Sequence, residues 1–144
     1  MPEILAAGIS IGLGTDGSAS NNRLDMFHEM DMCAKVHKVK GLDPTAIPAQ
    51  TVLELATSGS AGILGLEKDI GSLVPEKEAD LILVDINQPH LQPFYNSDLL
   101  VYAASGADVS TVIINGKIVM QDRKILTFDV LQTMAEVRKL AENL

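Results

Sequence analysis

Ile9-Ser10-Ile11-Gly12-Leu13-Gly14-Thr15-Asp16-Gly17-Ser18 is the stretch on which the fold turns. Residues 9–14 form an apolar, partly β-branched run with no charge, which predicts a strand buried on both faces, as in a parallel sheet. Thr15 to Ser18 is turn sequence at the carboxyl end of that strand. In parallel α/β folds active sites gather at that end. Asp16, between Gly14 and Gly17, is therefore the leading candidate for a functional carboxylate, as a cation ligand or a general base. The plainer alternative is that Asp16 only makes an Asx turn.

Working outward, a helix follows, with Ser20, Asn21 or Asn22 available to cap it. Met26, Met30 and Cys33 recur at i, i+4, i+7, with Phe27 and Ala34 widening the apolar face. Acids load its first half, Lys35, Lys38 and Lys40 its end, and Gly41 closes it, an order that complements the helix dipole. Pro48 opens a second helix to about Thr57, and a third covers 60–64. On the amino-terminal side, residues 1–8 read as the last turns of a helix ended by Gly8, which predicts that the natural unit extends upstream.

The character changes near residue 66. Strands are predicted at 79–85 and 109–114, with Asn115-Gly116 as a hairpin turn and 117–120 as its return. Residues 94–104 read as a loop followed by a short helix. An amphipathic helix is predicted over 130–143, with Asp129 as N-cap and Leu131, Met134, Val137 and Ala141 on one face.

Composition excludes several classes. The chain has 144 residues, 47% hydrophobic and 21% charged, which suits one globular domain. Its net charge of −8 repels phosphate backbones and anionic membranes, so nucleic-acid and membrane partners are not expected. The single cysteine, Cys33, cannot form an internal disulfide and fits a reducing cytoplasm. No signal peptide is expected, and the apolar runs are too short to span a bilayer.

Ser18, Ser20, Asn21 and Asn22 form a polar cluster just after Asp16, suited to lining a pocket or to capping. His28 and His37 fall on opposite sides of their helix and His90 in a loop between prolines; structural roles are expected for all three. Cys33 and His37 at i, i+4 supply two ligands, too few for a good metal site. GLGTDG matches G-x-G-x-x-G formally. A dinucleotide-binding module is therefore a competing reading, against which stand the late helix start, the missing acidic residue one strand on, and Asp16 beside the pyrophosphate position.

The segments Gly14-Thr15-Asp16-Gly17 and Ser20-Asn21-Asn22-Arg23-Leu24-Asp25-Met26 resemble the amidohydrolase superfamily. The similarity runs on through Asp43-Pro44-Thr45, Gly71-Ser72-Leu73, Ala79-Asp80-Leu81-Ile82, Pro89-His90-Leu91-Gln92-Pro93 and Ile113-Ile114-Asn115-Gly116-Lys117, and covers essentially the whole chain. It is closest to the branch of 5-methylthioadenosine/S-adenosylhomocysteine deaminases, with triazine hydrolases and guanine deaminases nearby. The resemblance implies an α/β fold: the C-terminal part of a (β/α)8 hydrolase barrel (1–65), part of a small β-sandwich (66–126), and a C-terminal helix (127–144) packing on the barrel. It implies that Asp16 is the metal-binding and proton-handling aspartate of the eighth barrel strand. It also implies that Ser20 lines the substrate pocket and that Zn²⁺ or another divalent metal supplies the hydroxide that deaminates a purine nucleoside.

This chain departs from that pattern. The HxH pair, the later histidine ligands and the glutamate acid of the family have no counterpart here. Glu76 stands where members commonly show glycine, a departure at a turn. A catalytic zinc takes about three protein ligands plus water. The chain alone is therefore expected to be inactive, to bind no zinc tightly, and to expose an unpaired edge prone to association with a further copy. The alternatives are another reaction of the same branch (guanine deamination or triazine dechlorination) and a non-catalytic interaction module built from an amidohydrolase tail.

Overall fold

A computed structural model describes residues 1–142. The chain is of the α/β class, with helices α1 (Pro2–Ala6), α2 (Met26–Gly41), α3 (Ala49–Ala56) and α4 (Ser58–Ile63) ahead of strand β1 (Leu81–Val84). There follow α5 (Asp98–Tyr102), β2 (Val109–Ile114), β3 (Lys117–Gln121), β4 (Lys124–Ile125) and α6 (Val130–Ala141). Two compact units result: Met1–Lys77 with Asp85–Asp108, and Glu78–Val84 with the residues from Val109 onward. No helix among the described residues is long and apolar enough to cross a membrane.

The first unit is a helical cluster. Helix α2 turns Phe27, Met30, Cys33 and Ala34 inward, an i, i+3, i+6, i+7 stripe that meets α3 and α5. Helix α3 contributes Ala49, Val52 and Leu55, and α4 adds Ala61. Val52, Leu91 and Val101 are fully buried at the centre. Leu91 arrives there from a 3-10 turn over Pro89–Leu91, where a plain loop is predicted from sequence. Lys38 Nζ ties α2 to the next loop by donating to the carbonyls of Ala46 (2.6 Å) and Ile47 (2.9 Å).

Three sequence expectations need correction in this unit. Residues 9–14 form no strand. A parallel strand takes its N–H and C=O partners from strands on either side, and no described strand runs beside this one. Helix α2 begins at Met26, and its cap is Asp25, whose Oδ1 accepts the Phe27 N–H at 3.0 Å; Ser20, Asn21 and Asn22 do not cap it. At the other end Gly41 is still helical, and Leu42 (φ +50°) takes the left-handed position. Glu76 adopts φ +72°, a conformation that suits glycine better than a residue with a side chain.

The second unit is a four-stranded antiparallel sheet in the order β1-β2-β3-β4. The predicted Asn115-Gly116 turn is present, both residues at positive φ (48° and 71°), which matches the twist of the flanking strands. The Asp80 carboxylate accepts the Asn115 N–H at 2.7 Å, so β1 is tied to the same turn. Strand β4 was not expected. It returns through Asp122 (φ 48°) and Arg123 (φ 64°), and Arg123 N–H donates to the Ser110 carbonyl at 3.0 Å. Helix α6 carries the cap read from sequence, with Asp129 accepting the Gln132 N–H at 3.0 Å. None of its residues is buried, and the predicted end at Asn143 lies outside the described residues.

Candidate active site

The 9–17 segment is held on α3 and α4 through Leu13. The Leu13 N–H donates to the Leu55 carbonyl and to Ser60 Oγ, both at 3.2 Å. Gly12 lets the two backbones meet: a Cβ there would stand 2.5 Å from Ser60 Oγ and 3.1 Å from Ser60 Cα. The chain then turns sharply. Asp16 takes φ +58°, a region that L-residues other than Asn and Asp seldom enter. Its Oδ1 accepts the Gly17 N–H at 2.6 Å, and the Thr15 hydroxyl donates to its carbonyl at 3.2 Å. Asp16 is exposed. Among the described residues its second carboxylate oxygen takes no hydrogen bond, so only one oxygen is committed to the turn.

Ser20 stands on the same turn. Its N–H and that of Asn21 both donate to the Gly17 carbonyl at 2.9 Å. The Ser20 side chain is exposed, as is Asp16, and the two stand on one short loop. Asn21 was read only as a cap or pocket residue, yet it is the hub of the loop. Its Nδ2 donates to the Thr15 carbonyl (2.9 Å) and to Glu29 Oε1 (2.8 Å), and its Oδ1 accepts the Arg23 N–H (3.1 Å). No spacing in the sequence marks this role, because Asn21 lies outside α2 and Ser20 and Asn22 offer similar polar chemistry beside it.

The other candidates lie apart from this loop. His28 Nδ1 is 3.4 Å from Arg23 Nη1 beside a cavity of ≈ 210 Å³ lined by Asp25, Asp31 and Tyr102. Asp25 Oδ2 accepts the Gly106 N–H at 3.1 Å on the same side. Cys33 faces the Met1 sulfur at 3.6 Å, and burial pushes its thiol up from the ordinary range. A thiol held protonated is a poor metal ligand. Burial likewise lowers His37.

His90 pairs with a buried acid that sequence reasoning missed. Asp108 Oδ2 lies 3.0 Å from His90 Nε2 and accepts the Ser105 N–H (2.8 Å) and hydroxyl (3.1 Å). Burial by itself would raise the Asp108 carboxyl; the hydrogen bonds from His90 and Ser105 outweigh it and hold the group below the usual carboxylate range.

Among the described residues no three His, Cys, Asp or Glu side chains gather as a metal site. Asp16 offers one carboxylate oxygen where a catalytic zinc takes about three protein ligands, so the residues of this chain do not fit a complete centre.

Comparison with known proteins supplies the context for so partial a site. The chain is 53% identical over 140 residues to a 5-methylthioadenosine/S-adenosylhomocysteine deaminase of Syntrophus aciditrophicus, covering 96% of this chain and 32% of that one. Among solved structures it superposes on an adenosine deaminase from Xanthomonas campestris with bound zinc (TM-score 0.94, 36% identity, 99% of this chain and 33% of that one). It also superposes on an atrazine chlorohydrolase from Arthrobacter aurescens complexed with zinc (TM-score 0.86, 27% identity, 96% and 31%). The chain thus spans about a third of the length of the relatives it matches. The amidohydrolase family model matches residues 1–119, and the chain belongs to that family.

Proposed function

We propose that this chain forms the C-terminal third of a zinc-dependent deaminase that releases ammonia from 5-methylthioadenosine and S-adenosylhomocysteine. The observation that carries this reading is the joint one at Asp16: a turn-braced carboxylate with only one oxygen committed to the turn, in a chain 53% identical over 96% of its length to a protein named for that reaction. In this reading residues 1–65 close a (β/α)8 barrel, 66–126 belong to a β-sandwich, and 127–144 pack back on the barrel. Strands of the longer protein flank residues 9–14 and complete the ladder that those residues lack here.

Asp16 would then supply one ligand to the metal and take up the proton of the attacking hydroxide, a proton the departing amine needs to leave as ammonia, and Ser20 would face the purine nucleoside. The remaining metal ligands would come from the longer chain, and a zinc held there would supply a bound water acidic enough to ionise near neutral pH, at about 7. The reaction is cytoplasmic and its partner is a small molecule. The higher identity to the deaminase than to the triazine hydrolase, 53% against 27%, favours a nucleoside over a triazine.

The test is ammonia release from 5-methylthioadenosine, S-adenosylhomocysteine and guanine, and chloride release from atrazine, run on this chain and on the longer protein carrying it. Turnover of the two nucleosides by the longer protein, with none by this chain, is expected. Turnover by this chain unaided, or of guanine or atrazine alone by the longer one, would overturn the reading.

A further inference from the structure

We infer that Asn21, acting with Glu29, is a positioning residue for Asp16. This inference rests on the reading of Asp16 as an active-site carboxylate. Asn21 touches no part of that carboxylate. It grips the peptide just before it: Nδ2 donates to the Thr15 carbonyl at 2.9 Å. That carbonyl belongs to the peptide plane whose nitrogen is Asp16's own, so holding it limits rotation about the φ of Asp16. That torsion is +58°, a conformation that an unbraced aspartate would leave readily.

The grip is anchored from the other side. The second Nδ2 proton goes to Glu29 Oε1 at 2.8 Å, and Oδ1 accepts the Arg23 N–H at 3.1 Å. Both neighbours of Nδ2 are acceptors and the neighbour of Oδ1 is a donor, so only one orientation of the amide satisfies all three. Glu29 sits in the first turn of α2, flanked by the buried Phe27 and Met30. Asn21 and Glu29 are half-buried, whereas Asp16 is exposed. The brace therefore carries the rigidity of a core helix out to a surface turn. A reactive group must be held to within about 0.5 Å of its productive place, and an exposed turn does not do so unaided.

The test uses the longer enzyme carrying these residues, with Asn21→Ala, Glu29→Ala, Glu29→Gln and Asp16→Asn. Loss of such an outer contact costs about 10–100-fold in activity or metal affinity. N21A and E29A are expected to lower kcat by about that factor with KM for 5-methylthioadenosine nearly unchanged. Hydrogen exchange at residues 15–18 should quicken while α2 stays protected. E29Q keeps an acceptor at the same place and should restore both readouts. If N21A does not fold, E29A and E29Q carry the test. A D16N enzyme that keeps its rate would overturn the active-site reading beneath this inference. A dead D16N beside N21A and E29A of wild-type rate and exchange would overturn the inference alone. So would E29Q behaving like E29A.

Discussion

Replacing Asp108 should cost far more stability than replacing His90, though the two are joined by one hydrogen bond. The pair is lopsided. Asp108 is 6% exposed, and its Oδ2 gathers three donors: the Ser105 N–H, the Ser105 hydroxyl and His90 Nε2. The His90 side chain is 47% exposed, so water screens its half of the pair. Asp108→Ala orphans a half-buried backbone N–H, at about 1–3 kcal/mol, and removes a charge-assisted bond to the Ser105 hydroxyl, which recovers part of its loss by turning to water. The sum is about 2–4 kcal/mol. His90→Ala leaves Ser105 bonded to Asp108 and should cost about 0–1 kcal/mol. Urea unfolding followed at unit-one probes reads the difference: with a slope of about 2 kcal/mol/M, D108A shifts the midpoint by roughly 1–2 M and H90A by less than about 0.5 M.

The pH dependence has a definite sign. The Asp108 carboxyl is held below its unfolded value near 3.9. Its contribution is complete above that value and is lost as pH falls through the lower folded one. Asp108→Asn should therefore flatten the acid limb of the stability curve. Equal midpoint shifts for D108A and H90A, or an acid limb unchanged in D108N, would refute the reasoning.

Other outcomes are equally checkable. Leu91→Ala empties a fully buried position and should cost about 2–5 kcal/mol in the same urea assay. Glu76→Gly is expected not to destabilise, and to gain up to about 1 kcal/mol, because Glu76 already sits at φ +72°; thermal unfolding beside Glu76→Ala, which gains nothing, decides it. Cys33, buried and with its thiol pushed up, should react with a thiol reagent far more slowly than free cysteine at neutral pH, and at equal speed once urea unfolds the chain.

What could be read from sequence divides by the range of the interactions involved. The Asn115-Gly116 turn and the Asp129 cap were legible because each rests on residues within three positions of one another. The 9–14 strand was not, because a parallel strand exists only through its neighbours. The identical apolar run appears here outside any strand, pinned at Leu13. The α2 cap was misplaced for a different reason. Ser20, Asn21, Asn22 and Asp25 all suit a cap, and what removes Asn21 from that role is its pair of bonds to Thr15 and Glu29. Strand β4 has only two residues, too few to show a period. The position of Asp16 was legible, as an acid closing an apolar run; the backbone strain and the brace behind it depend on contacts that no spacing announces.

A zinc titration by calorimetry, on this chain, on the longer protein and on the longer protein with Asp16→Ala, bears most directly on the role of that carboxylate. Tight one-to-one binding by the longer protein, weakened severely by D16A, with no tight binding by this chain, is the expected pattern. Tight stoichiometric binding by this chain, or D16A binding as well as wild type, would contradict it.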